Sequence, residues 1–266
     1  MSSQIKLVAL DIDGTLLAPG VPHNAMPDDA FVDVVAGLHA QDIVVVLATG
    51  RMYPGAAPIA AHLGLNETII CQQGASIHEA DGSLRHSLAI DADIAEELYD
   101  YAVHHEYSLA WFNHERYLVT RTSEAAEFFA GVSGVDVEVN ERPLESGVVA
   151  TGIDIVSNQY VSRDVHRFLE ARYGSRVGLL DFTGVTAVHA PLASKGNAIA
   201  QLARELGIEQ SEVLAIGDGI NDVSMLTWAG SSAAPAHADK FAKDCAGEIL
   251  DGDGVSGVLA CLRALT

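Results

Sequence analysis

At 266 residues and 28.0 kDa the chain is long enough to form one or two domains with a sizeable core. Hydrophobic residues make up 49% and charged residues 19%, and a mean hydropathy of +0.21 rules out disorder as the main state. The formal net charge of −21 argues against a nucleic-acid or anionic-membrane partner, since either would need clustered Lys and Arg.

Residues 5–10 (IKLVAL) are a bounded, β-branched apolar run that predicts a buried strand, followed by a polar turn containing glycine. Residues 27–40 (PDDAFVDVVAGLHA) open on Pro and two acids and keep helical spacing, which predicts a helix with a favourable N-terminus. IVVVLA at 43–48 and TIIC at 68–71 predict a second and a third strand. Continuous apolar strands separated by helices imply a parallel sheet covered on both faces.

From 83 to 187 the texture changes. WFNHERYLVT at 111–120 and GVDVEV at 134–139 alternate like half-buried antiparallel strands, with helical stretches at 91–105 and 162–173. Eight of the eleven arginines and none of the four lysines fall here. The first texture then returns: a helix at 195–206, a strand at 212–217 (EVLAIG), a helix at 220–228, and short segments at 230–234 and 248–250 that extend the sheet. The expected fold class is α/β: a doubly wound, mostly parallel, Rossmann-like core from 1–82 and 188–266, with an α+β domain inserted at 83–187.

No apolar run approaches the roughly 18 residues needed to cross a bilayer, and the opening MSSQIKLVALDIDG meets acid too early for a secretory signal. Cys71, Cys245 and Cys261 suggest no disulfide framework and suit a reducing, cytoplasmic setting; Cys71, after a β-branched run, is expected in the core.

Four segments carry chemistry. DIDGTLL at 11–17 follows the first strand, so Asp11 and Asp13 sit at a carboxyl end, where open α/β sheets place their ligands. Carboxylates two apart serve as nucleophile and proton donor, or as hard oxygen ligands for Mg²⁺; alone, such a pair is more often a polar turn. After the second strand, Thr49 and Gly50 offer a hydroxyl and an N–H suited to phosphate oxygens, with an ordinary turn or helix cap as the bland alternative. Lys195 opens a helix, where a cation opposes the dipole and calls for an anionic neighbour. GDGINDVSML at 217–226 brings Asp218, Asn221 and Asp222 together after a buried strand, a costly choice that a metal would relieve. The coincidence of four such signals in this order is far more specific than any one of them.

DIDGTL, ATGR, SKG and GDGIND, in this order, resemble the four signature motifs of the haloacid dehalogenase superfamily, and more narrowly its Cof-type (subfamily IIB) sugar-phosphate phosphatases. The resemblance covers about 160 residues of core, and the middle segment resembles the large α/β cap of that branch by length and position. It implies Mg²⁺-dependent hydrolysis of a small phosphomonoester, with Asp11 as the nucleophile forming an aspartyl-phosphate and Asp13 as the acid and then the base. It further implies Mg²⁺ held by Asp11, the Asp13 carbonyl and Asp218, with Asp222 a ligand or a partner of one. The phosphate would be gripped by Thr49, the backbone of Ile12 and Gly50, Lys195 and Asn221, with Arg51 a further contact. Of the paired carboxyls, Asp13 is expected to have the raised pKa, through like charge. The implied partner is a small phosphorylated metabolite, with no nucleic acid and no membrane, on a monomer or small homo-oligomer. The alternatives are a phosphosugar mutase and a non-catalytic phosphometabolite-binding module.

Two segments depart from the family pattern. Gln73-Gly74-Ala75 stands where Asn-Gly-Ala is usual, and AAPAHA at 233–238 replaces Ala-Met-Gly-Asn-Ala. His237 is expected at the surface or at a helix start, with a substrate contact as the other reading. In the insert, Trp111 is expected to pack and Arg116 to lie in a solvated hairpin turn. His104 and His105, adjacent on a helix end, do not converge on one ligand.

Overall fold

The structure, a computed structural model, describes residues 4–266; the first three residues of the expected core lie outside the described residues. The chain begins β1 (Leu7–Leu10), α1 (Asp29–His39), β2 (Val44–Leu47), α2 (Tyr53–His62), β3 (Ile69–Cys71), β4 (Ser76–His78) and β5 (Leu84–Ser87). It continues with α3 (Ala92–His104), β6 (Ser108–Phe112), β7 (Tyr117–Val119), α4 (Glu124–Ser133), β8 (Glu138–Val139), β9 (Gly152–Val156), α5 (Ser162–Tyr173), β10 (Gly178–Phe182) and β11 (Val185–His189). The last part holds α6 (Lys195–Leu206), β12 (Val213–Ile216), α7 (Val223–Trp228), β13 (Ser231–Pro235), α8 (Lys240–Cys245), β14 (Glu248–Leu250) and α9 (Ser256–Arg263).

Two compact units result. One takes the chain up to Arg85 and again from Ser194; the other runs from His86 to Ala193. These divisions fall a few residues later than the 83–187 expected. Leu84 and Arg85 still belong to β5, which extends the β3–β4 sheet, and β11 carries the insert's own sheet to His189.

The first unit is built on a five-stranded sheet in the order β14-β13-β12-β1-β2, parallel throughout. Its central strands are apolar because both faces are covered. Val8 and Leu10 of β1 join Phe31 and Leu38 of α1, Ile59 of α2 and Leu262 of α9 on one side. Leu7 and Ala9 join Ile199 and Leu202 of α6 and Met225 of α7 on the other. Successive residues of one strand therefore feed two separate cores, as the period of two demands. The third expected strand differs in detail. β3 meets the parallel sheet only through an Ala48–Ile70 bridge and pairs antiparallel with β4. Cys71 is fully buried in the core, as expected.

The second unit is a six-stranded sheet in the order β10-β11-β9-β6-β7-β8. Ile94 and Leu98 of α3 and Val165 and Leu169 of α5 pack on Leu109, Trp111, Ile153 and Ile155. Trp111 is buried and its indole N–H donates to the Val148 carbonyl, 2.8 Å away. On the opposite face, Phe129 of α4 packs on Phe112 and Tyr117. The expectation of antiparallel pairing fails at Glu138–Val139, which run parallel to β7. Arg116 is not simply solvated: its guanidinium pairs with Glu138 and reaches the Ser146 carbonyl. Among the described residues no helix is long and apolar enough to cross a membrane.

Candidate active site

Three adjacent parallel strands, β2, β1 and β12, deliver the site. Asp11 follows β1 directly, Thr49 comes two residues after β2, and Asp218 two residues after β12. All stand at carboxyl ends, where parallel strands leave room for a ligand.

Lys195 is fully buried at the first position of α6, whose N-cap Ser194 accepts from the Asn197 N–H. Its Nζ lies 2.6 Å from Asp11 Oδ1 and 2.6 Å from Asp222 Oδ1. The anionic neighbour that the helix start calls for is thus supplied twice. Asp222 is fully satisfied: its second oxygen accepts from the N–H groups of Asp218, at 2.9 Å, and Gly219, at 3.0 Å. One carboxyl oxygen each of Asp11, Asp218 and Asp222 lies within 4.8 Å of the others.

Three acids and one ammonium leave this cluster short of positive charge. Burial, reinforced by Asp222, pushes the Asp11 carboxyl well above its ordinary value, with Lys195 opposing. The carboxyl with raised proton affinity is therefore Asp11, the residue for which the resemblance implies the nucleophile's role, and not the one expected. Asp218 is pushed up to about 7, first by burial and then by Asp222. Burial pulls Lys195 down, but the two carboxylates outweigh it and hold the ammonium above its ordinary value.

The donor set fits a hard divalent cation. Asp218 takes no hydrogen bond at its carboxyl oxygens among the described residues, and it packs against the bare Cα of Gly14. A Cβ there would collide with that carboxylate, and the φ of +86° already favours glycine.

Asp13 stands apart from the three acids, with its side chain half exposed. The buried Arg51 grips it as a fork, Nε to Oδ2 at 2.8 Å and Nη2 to Oδ1 at 2.6 Å. The remaining Arg51 nitrogen reaches the Gly55 carbonyl at 3.2 Å and the His23 carbonyl at 3.5 Å. Arg51, expected at the phosphate, thus directs its donors to Asp13 and the backbone. Thr49 is fully buried and its hydroxyl accepts from the Arg51 N–H at 3.2 Å. Ile12, between Asp11 and Asp13 in sequence, is fully buried in the core. Asn221, in the single turn Ile220–Asp222, donates to Gln73 Oε1 at 3.2 Å.

His237 lies in the turn between β13 and α8, half-buried. Its Nε2 is 2.7 Å from the Gly14 carbonyl and must donate to it, while its buried Nδ1 has no partner. Together with the Asp239 N–H on the Asp218 carbonyl at 2.8 Å, it fastens the departing segment 235–239 to the loops that carry the acids. Gln73 and His237 were visible in the sequence only as departures from a pattern. Their contacts depend on loops remote in the chain.

Residues 8–262 match the family model for a haloacid dehalogenase-like hydrolase. The chain is 29% identical over 237 residues to an HMP-PP phosphatase of Serratia proteamaculans, covering 88% of this chain and 84% of that protein. It is 29% identical over 262 residues to a phosphoglycolate phosphatase of Halorubrum lacusprofundi, covering 97% of this chain and 98% of that one. Among solved structures, a haloacid dehalogenase-like hydrolase from Bacteroides thetaiotaomicron superposes with a TM-score of 0.84 at 21% identity, over 99% of this chain and 100% of that chain.

Proposed function

The chain belongs to the haloacid dehalogenase-like hydrolase family, and within it we propose a Mg²⁺-dependent phosphatase that cleaves a small phosphomonoester, a sugar phosphate or related phosphometabolite, through Asp11. The observation that carries this reading is Lys195 held at 2.6 Å from both Asp11 and Asp222, with the Asp218 carboxylate in the same cluster.

An Asp11 oxygen attacks phosphorus while the ester P–O bond breaks, and Asp13 gives its proton to the leaving alkoxide. A water then attacks the aspartyl-phosphate, Asp13 takes its proton, and the Asp11–phosphorus linkage breaks to release inorganic phosphate. Charge spreads over three phosphoryl oxygens during transfer, so a buried ammonium beside the nucleophile is well placed to stabilise it. Thr49, the N–H groups of Ile12 and Gly50, and Asn221 hold those oxygens. Arg51 positions Asp13, and one arm of their fork must open for Asp13 to carry the proton.

Asp11, Asp218 and the Asp13 carbonyl would hold Mg²⁺, which supplies charge neutralisation for the incoming dianion. Both oxygens of Asp222 are already engaged, so its part is to fix Lys195 and the turn at Gly219. Three cysteines without a disulfide support a reducing cytoplasmic setting.

The test is hydrolysis of p-nitrophenyl phosphate with MgCl₂, with excess chelator, and by Asp11→Asn. Activity should vanish in the last two. Full turnover by Asp11→Asn would remove the mechanism. A panel of phosphosugars, scored for free phosphate against an isomeric phosphosugar, separates hydrolysis from a mutase.

A further inference from the structure

The loop after β3 holds its backbone where side chains are rarely found. Gln72 has φ +50°, Gln73 φ +60° and Gly74 φ +93°, so two consecutive glutamines occupy the left-handed region, at about 1 kcal/mol or more each. Such strain persists only where the surroundings over-determine it. Here the Gln72 N–H donates to the Arg51 carbonyl at 2.9 Å, and the Gln73 N–H to the Thr49 carbonyl at 3.1 Å. A Cβ on Gly74 would collide with the Ser194 carbonyl, immediately before Lys195. The loop is wedged between two of the segments that build the site.

This backbone aims one side chain. Gln73 Oε1 accepts from Asn221 Nδ2 at 3.2 Å, which fixes the amide's orientation, and Nε2 lies against the bare Cα of Gly50. A Cβ on Gly50 would collide with that nitrogen. Nε2 carries two N–H groups and finds no acceptor among the described residues. A donor without an acceptor, pressed on the segment Thr49–Gly50 and tied to Asn221, suits an anion.

We propose that Gln73 is a further substrate-binding residue, whose Nε2 donates to a phosphoryl oxygen of a phosphomonoester dianion while its Oε1 orients Asn221. This rests on the phosphatase reading above. Asparagine adopts the left-handed region more readily than glutamine but is one methylene shorter, and glutamate keeps the reach and an acceptor for Asn221 while losing the donor.

The experiment compares wild type, Gln73→Asn and Gln73→Glu, each with MgCl₂, for inhibition by inorganic phosphate, for kcat and KM on p-nitrophenyl phosphate, and for melting temperature. Both variants should keep the wild-type melting temperature within a few degrees. Both should weaken phosphate inhibition by roughly ten- to hundredfold, the worth of one hydrogen bond to a charged group. KM should rise more than kcat falls, because the donated bond exists before transfer as well as during it. Wild-type phosphate inhibition in Gln73→Glu would overturn the proposal and leave the phosphatase reading standing. A wild-type protein that neither hydrolyses the ester nor responds to phosphate would overturn both.

Discussion

Lys195 Nζ lies 2.6 Å from Asp11 Oδ1 across a sequence separation of 184 positions, and both side chains are almost completely shielded from water. Neither charge is tolerable there without the other. Lys195→Met removes the cation and leaves two buried carboxylates facing one another. It should destabilise the protein by about 3–5 kcal/mol at pH 7.5, read from urea unfolding midpoints. An unchanged midpoint would show that this ion pair contributes nothing to the fold.

Gly14 is required by geometry in two ways: a positive φ and the contact of its Cα with the Asp218 carboxylate. Gly14→Ala should cost about 1–3 kcal/mol through backbone strain alone. It should also displace Asp218, so turnover should need far more MgCl₂ for half-maximal activity. A variant with the wild-type magnesium dependence would dissociate Gly14 from the placing of Asp218.

The Arg51–Asp13 fork is a matched planar pair, and lysine cannot reproduce it. Arg51→Lys keeps the charge but frees Asp13 to rotate. The expected result is a kcat reduced by roughly ten- to a hundredfold with KM little changed. Acid-quenched protein should retain more labelled phosphate than wild type, since Asp13 serves the second step too. Equal kcat would separate Arg51 from the chemistry.

Asp154, on β9 of the second unit, has alanines directly across on both neighbouring strands, Ala110 and Ala187, and burial pushes its carboxyl up to about 7. The folded state therefore holds a proton between about pH 4 and 7 that the unfolded chain has already released. Stability should be greatest below that window, fall as pH rises through it, and level off above. Asp154→Asn removes the penalty. It should match wild type at pH 4.5 and exceed it at pH 8, by up to about 4 kcal/mol and less in proportion to the group's exposure. Urea midpoints at the two pH values check this, and parallel behaviour of the two proteins would contradict it.

Sequence was most informative where one physical signal dominated. β1, β2 and β12 are continuous apolar runs because both faces of their sheet are covered, and α6 has capping Ser194, apolar spacing and Gly207 at its end. Where signals conflict, the elements were hidden. α2 contains Pro54, Gly55 and Pro58, which argue against a helix, and α4 buries mainly small residues while Phe128 stays exposed. The parallel pairing of β8 is a long-range choice that local alternation does not encode. At the site, the acids were legible because charge after an apolar strand is anomalous, and Lys195 because a cation at a helix start opposes the dipole. The partner of Arg51 and the reach of Gln73 were not, since each depends on where a flexible side chain finds a complement in another loop.

The pairing of β1 with β12 also has a consequence for biosynthesis. The first strand emerges from the ribosome more than 200 residues before its neighbour on that side, whereas His86–Ala193 has a hydrophobic cluster of its own and is complete before β12 begins at Val213. The insert can mature during translation while the segment ahead of it waits with β1 paired only on the β2 side. Closure of the parallel sheet is then a late, long-range event, the kind that slows folding and leaves strand edges open to aggregation.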